Sequence, residues 1–158
     1  MVKRDLEGCG SLEPQGGVRN KGRLAKVGNR FETPGDFSWT ELMTRDMDGA
    51  RKFYSEVLGW EMEEMPMGEG PPYVVLKAGG EAVGGMMLMP ENVPAQVPPH
   101  WAAYVTVDDV DATAKKAQEL GATLIVPPTD IPNVGRFSTI QDPQGAVLSV
   151  ISYKKKEG

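Results

Sequence analysis

The stretch Trp39-Thr40-Glu41-Leu42-Met43-Thr44-Arg45-Asp46, continued through Met47 to Leu58 and into Gly59-Trp60-Glu61-Met62, decides the fold because it has an echo. Displaced by 62 positions, Trp39 falls on Trp101, Thr44 on Thr106, Asp46 on Asp108, Ala50 on Ala112, Leu58 on Leu120 and Gly59 on Gly121. Self-similarity at a fixed offset marks one supersecondary unit used twice. Each copy reads as a strand, an aspartate at its end, an amphipathic helix, a glycine stop and another strand. Two copies are too few for a solenoid, so the expectation is one pseudo-symmetric domain with a shared core.

In the first copy Phe37 to Thr44 is a strand and Asp46 a helix N-cap candidate. Ala50, Phe53, Tyr54, Val57 and Leu58 form an apolar stripe at helical spacing. Gly59 stands where a left-handed C-cap belongs. Strands follow at Trp60 to Met65, Tyr73 to Ala78 and Ala82 to Met89, with Gly79-Gly80 as a hairpin turn. Gly84-Gly85 inside the last of these signals a bulge or a group approaching the backbone. After a linker from Pro90 to Pro99, the second copy has a strand at Trp101 to Val107, Asp108 or Asp109 as cap, and a helix from Val110 to Leu120. Strands at Ala122 to Val126, Gly135 to Ile140 and Ala146 to Ser152 complete it, with Pro127 to Asn133 read as a loop.

Outside these copies, residues 1–34 are glycine-rich and aperiodic and read as a flexible arm, residues 35–153 as the folded domain, and residues 154–158 as a charged tail. With 40% hydrophobic and 25% charged residues, the chain has the composition of a soluble globular domain. The net charge of −5 argues against a nucleic-acid partner. The lone Cys9 excludes an internal disulfide and fits a reducing compartment. No apolar run suits a membrane span or a secretory signal, so a cytoplasmic location is the expectation.

Phe53-Tyr54 ahead of Leu58-Gly59, the strand–aspartate–helix opening, and Asp142-Pro143-Gln144-Gly145 before a closing strand together resemble the vicinal oxygen chelate superfamily. That group holds glyoxalase I, the extradiol dioxygenases and the fosfomycin- and bleomycin-resistance proteins. The Trp39-to-Asp46 wording and Gly135-Arg136 stand closest to its glyoxalase-like branch, whose members often carry two such domains. The resemblance spans Phe37 to Tyr153 and implies an α+β fold. Two βαβββ modules, about 37–89 and 100–153, would curl into an eight-stranded cup with helices outside. It further implies a small-molecule site in the cup and pairing as a homodimer. Catalytic members hold a divalent metal there through His, Glu or Gln from the first and last strand of each module.

Counted onto this chain, the four ligand positions of the resemblance are Trp39, Gly84 or Gly85, Ala102 and Ser149. None is a carboxylate or imidazole, and a catalytic divalent site needs about three N, O or S donors. No metal or other cofactor is therefore expected. If these positions face the cup, as the resemblance implies, strand alternation adds Glu41 and Met43 to Trp39, His100, Tyr104 and Thr106 to Ala102, and Val147 and Ile151 to Ser149. This lining is mostly apolar with a few polar points, which suits a small organic ligand. Met62, Met65, Met67, Met86, Met87 and Met89 fit either an adaptable pocket or plain core.

Glu41, a carboxylate in an apolar strand, is the candidate catalytic or ligand-bonding group, with Arg136 to hold an anionic part of the ligand. The alternative is a structural Glu41–Arg136 pair, or a Glu41 at the rim in water. Trp39, Trp101 and His100 likewise have core or surface readings beside the functional one. The resulting expectation is a metal-free glyoxalase-like protein binding a small, partly apolar molecule, for resistance or sequestration. A lyase, isomerase or dioxygenase with an atypical ligand set, or with Glu41 as base, is the rival.

Overall fold

The computed structural model of the chain describes residues 29–67 and 70–154. Its elements run β1 (Phe37–Thr44), α1 (Met47–Leu58), β2 (Glu61–Met65), β3 (Tyr73–Ala78), β4 (Glu81–Leu88), β5 (His100–Thr106), α2 (Val110–Glu119), β6 (Thr123–Ile131), β7 (Gly135–Gln141) and β8 (Val147–Tyr153). All eight strands join one sheet in the order β2-β3-β4-β1-β5-β8-β7-β6. The two modules meet edge to edge through the antiparallel β1–β5 pair. Within each module the first strand runs parallel to the last, β1 with β4 and β5 with β8. This is the α+β duplicated βαβββ architecture, an open mixed sheet rather than a closed barrel.

Local chemistry fixes the element ends. Asp46 caps α1 by accepting from Gly49 N, and Gly59 closes it in the left-handed region at φ 66°. Asp109, not Asp108, caps α2 by accepting from Ala112 N. The two caps are thus 63 positions apart, whereas the left-handed Gly59 and Gly121 are 62 apart. The difference decides the strands, because a one-residue slip moves a side chain to the other face. At an offset of 62, Trp39 would match Trp101, but Trp101 packs on Tyr54 and Trp60 on the helix side. At 63, Trp39 matches Ala102 and Glu41 matches Tyr104, and all four share the opposite face.

The helix-side face of the first module buries Leu42, Val74, Leu76 and Met86, with Met47, Ala50, Tyr54, Trp60 and Met62 against them. The predicted α1 stripe is narrower than expected: Ala50 and Tyr54 pack, while Phe53, Val57 and Leu58 are exposed. The predicted loop from Pro127 to Asn133 is largely strand, because β6 is the outer strand, where prolines cost no ladder bond. Of the predicted arm, residues 1–28 lie outside the described residues, as do 155–158 of the predicted tail. Asn29 to Asp36 lie against the sheet: Gly35 N donates to Thr106 O, and Arg30 Nη2 donates to Ala82 O.

Candidate functional site

The concave face is read directly from the strand register. Trp39 lies opposite Tyr104, Glu41 opposite Ala102 and Met43 opposite His100. The next strand sets Ser149 beside Tyr104 and Ile151 beside Thr106. On the other flank Gly85 lies beside Glu41.

Glu41 is at the centre, a carboxylate only 7% exposed. Tyr73 Oη donates to its Oε1 at 3.0 Å, and Tyr104 Oη donates to its Oε2 at 3.2 Å. Trp39 Nε1 in turn donates to Tyr73 Oη at 2.8 Å. Tyr73 comes from β3, two strands from Glu41, and reaches it across Gly85. A Cβ on Gly85 would stand 1.7 Å from Tyr73 Oη and 2.3 Å from its Cζ. The bare backbone signalled by Gly84-Gly85 is therefore the path of this phenol.

Burial pushes the Glu41 carboxyl above its ordinary range, and the two phenol hydrogen bonds partly offset that rise. Tyr73 and Tyr104 are held far above the usual phenol range, first by burial and then by the neighbouring Glu41 charge. Both therefore remain hydrogen-bond donors at neutral pH. Tyr153, also raised by burial, donates to Ser38 Oγ at 2.9 Å.

Beside this cluster is a small cleft of about 80 Å³, lined by Met43, His100, Ala102, Thr139, Val147 and Ser149 among others. The Thr139 and Ser149 hydroxyls share a hydrogen bond of 2.8 Å. His100 Nδ1 lies 2.8 Å from Pro98 O, a contact that requires the proton on Nδ1 and leaves Nε2 as acceptor in the neutral ring. A larger open hollow of about 360 Å³ lies elsewhere, between Pro34 and the first turn of α2. Its Asp109 and Thr113 are spent on capping that helix, so the smaller cleft is the better candidate.

The register brings Trp39, Glu41, Met43, His100, Ala102, Tyr104 and Ser149 to one face. Thr106 shares it, but its hydroxyl is engaged by Arg30 O at 2.6 Å. Arg136 does not join them. It lies opposite Ser152, one residue out of step with the concave positions, and so points to the helix side. There its guanidinium is forked onto Asp111 at 2.7 and 2.9 Å and reaches Asp130 at 3.0 Å. The anticipated Glu41–Arg136 pair is absent for that reason. Tyr73 is the residue that sequence reasoning missed. Its signal was a tyrosine at concave parity on a strand beside a side-chain-free Gly85.

The donor set does not fit the divalent metal of catalytic family members. At the four counted positions Gly85 and Ala102 offer no side-chain donor, and the Trp39 indole N–H is already committed to Tyr73. Ser149 is left as a hydroxyl bonded to Thr139. Among the described residues no three His, Cys, Asp or Glu side chains gather in one place.

A duplicated βαβββ sheet, with a polar centre on its concave face and both helices behind, defines the vicinal-oxygen-chelate class of domain. The chain belongs to the Glyoxalase/Bleomycin resistance protein/Dioxygenase superfamily, matched over residues 36–150. It is 48% identical over 117 residues to the putative glyoxylase CFP32 of Mycobacterium tuberculosis, covering 74% of this chain and 44% of that protein. It is 35% identical over 122 residues to the anthracycline biosynthesis protein DnrV of Streptomyces peucetius, covering 77% and 43%. The chain thus spans less than half the length of these curated relatives. In fold it resembles the methylmalonyl-CoA epimerase of Mycobacterium tuberculosis, with a TM-score of 0.54 at 18% identity over 76% of this chain and 91% of that one. No helix among the described residues is long and apolar enough to cross a membrane.

Proposed function

We propose that this chain is a metal-free glyoxalase-like domain that binds a small, partly apolar organic molecule on its concave face, in a sequestering or resistance role. The supporting observation is the centre of that face. A tyrosine-bonded carboxylate stands there, Tyr73 crosses the bare Gly85, and hydroxyls and aliphatic groups line the adjoining cleft. The anthracycline-biosynthesis relative is in keeping with an aromatic ligand. Equilibrium dialysis against a panel of aromatic and drug-like compounds tests the reading. Saturable binding that weakens in Tyr104→Ala and Ser149→Val is the expected result, and a panel with no binder would overturn it. On the same reading two copies pair as a homodimer, with the exposed Phe53, Val57 and Leu58 of α1 as an apolar contact face; light scattering measures this.

One observation favours a second reading, metal-independent proton transfer as in a lyase or isomerase: Glu41 is a buried carboxylate with a raised pKa beside a cleft. Glu41→Gln separates the two. Retained binding with lost turnover supports catalysis, and retained binding with no turnover in either protein supports the binding role.

A further inference from the structure

We propose that the concave face takes an organic cation, a protonated or quaternary amine on a small apolar body, held over aromatic faces beside Glu41. The inference rests on the small-molecule reading above and names the chemical class of the ligand.

The charge on Glu41 carries the argument. Its hydrogen-bond partners are two neutral phenols, and no cationic side chain among the described residues pairs with it. The ion pairs of the described residues lie elsewhere: Arg51 with Glu64, Lys77 with Glu63, and Arg136 with Asp111 and Asp130. Arg30 stands at the rim, 5.0 Å over the Phe31 ring and bonded to Ala82 O, and makes no ion pair with Glu41. A carboxylate taken out of water without a counter-charge is costly, and a ligand that supplies the positive charge recovers that cost.

The aromatic rings around Glu41, which stand outside the lining of the small cleft, suit the same charge. Tyr73 and Tyr104 donate their hydroxyl protons to a carboxylate, which enriches their rings in electron density. Trp39 adjoins Tyr73, and Phe137 lies 6.3 Å from Tyr104, centroid to centroid. At the other end Phe31 stands edge-on to Tyr153 at 5.1 Å and 6.5 Å from Trp39. Aromatic faces around a carboxylate attract ammonium groups, most strongly where water is excluded. An anionic ligand would meet an uncompensated like charge, and a neutral one would gain only apolar contact. Phe31 lies before the family match at residue 36, so this part of the wall belongs to the chain's own leading segment.

The test titrates the intact chain, by calorimetry or tryptophan fluorescence, with three probes of similar shape: benzyltrimethylammonium, the neutral isostere neopentylbenzene, and phenylmethanesulfonate. The cation should bind at least about tenfold more tightly than the isostere, with the sulfonate weakest. Glu41→Gln should remove that preference, bringing the cation's affinity down to that of neopentylbenzene. Equal or tighter binding of either other probe overturns the cation assignment and leaves the small-molecule reading standing. Absence of binding by all three and by a wider aromatic panel overturns both. Should Glu41→Gln fail to fold, the ranking of the three probes on the unaltered chain decides the matter alone.

Discussion

The two modules share a plan and divide its uses. Each has a strand, a capping aspartate, a helix, a left-handed glycine and three further strands. The first holds the buried cluster of Leu42, Val74, Leu76 and Met86, and on its concave side Glu41, Tyr73 and the bare Gly85. Its helix, however, has no fully buried residue. The second module anchors its helix better, burying Val110 and Ala114 and clipping Asp111 to Arg136. To the concave face it adds Tyr104 and the Thr139–Ser149 hydroxyl pair. Duplication thus left one copy with the charged centre and the other with a hydroxyl-lined flank.

The largest effect should come from the core of the first module. Met86 is fully buried, and Met86→Ala should cost about 2–5 kcal/mol by chemical denaturation. Val150→Ala, in the second module, removes less volume and should cost less. The reverse order would break the asymmetry. Next comes Gly85→Ala, whose new Cβ collides with the Tyr73 phenol. Displacing that ring leaves buried polar groups unpaired, a loss of about 1–3 kcal/mol. Made on a Tyr73→Ala background the same change should cost almost nothing, so the double-mutant cycle isolates the contact. Smaller again are the caps. Asp46→Ala and Asp109→Ala should each cost about 1 kcal/mol, and Asp108→Ala much less. Equal losses at Asp108 and Asp109 would discredit the 63-residue correspondence.

The architecture was legible because its signals are local. Asp46, Gly59, Gly79-Gly80 and Gly145 each fix their own turn or cap within a few residues. Once the resemblance had set Trp39 and Ala102 toward the cup, alternation carried Glu41, Met43, His100 and Tyr104 to the face they share in the sheet. Relations set across strands were not legible. Tyr73 meets Glu41 only because β3 and β1 flank β4 at the residue that lacks a side chain. Arg136 turned away because strand parity is absolute and a single step along β7 reverses it. Phe31 carried no periodic signal, since its partners Trp39 and Tyr153 are distant in sequence. The 62-residue echo sets Trp39 on Trp101 although the strands correspond at 63, because α2 is shorter than α1, an offset that similarity in the helix conceals.

The subtlest prediction contrasts one carboxylate from each module, whose pH responses have opposite signs. Glu41 is raised above its ordinary 4.5 by burial, so the folded chain holds this proton more tightly than the unfolded one. Its contribution is complete below 4.5 and is lost as pH rises through the higher folded value. Asp111 is lowered from 3.8, first by its hydrogen bonds to Arg136, so its contribution is present above 3.8 and is lost as pH falls through the lower folded value. Thermal melts of the unaltered chain, Glu41→Gln and Asp111→Asn between about pH 7 and pH 3 separate the two from general acid unfolding. Acidification toward 4.5 should shift the unaltered chain's melting temperature upward relative to Glu41→Gln. Below 3.8 its advantage over Asp111→Asn should shrink. Because Asp111 is exposed, added salt should weaken the second effect and leave the first nearly intact. A Glu41→Gln difference that stays flat with pH, or that disappears in salt, would mean that water reaches this carboxylate and that the first module has no buried charge at its centre.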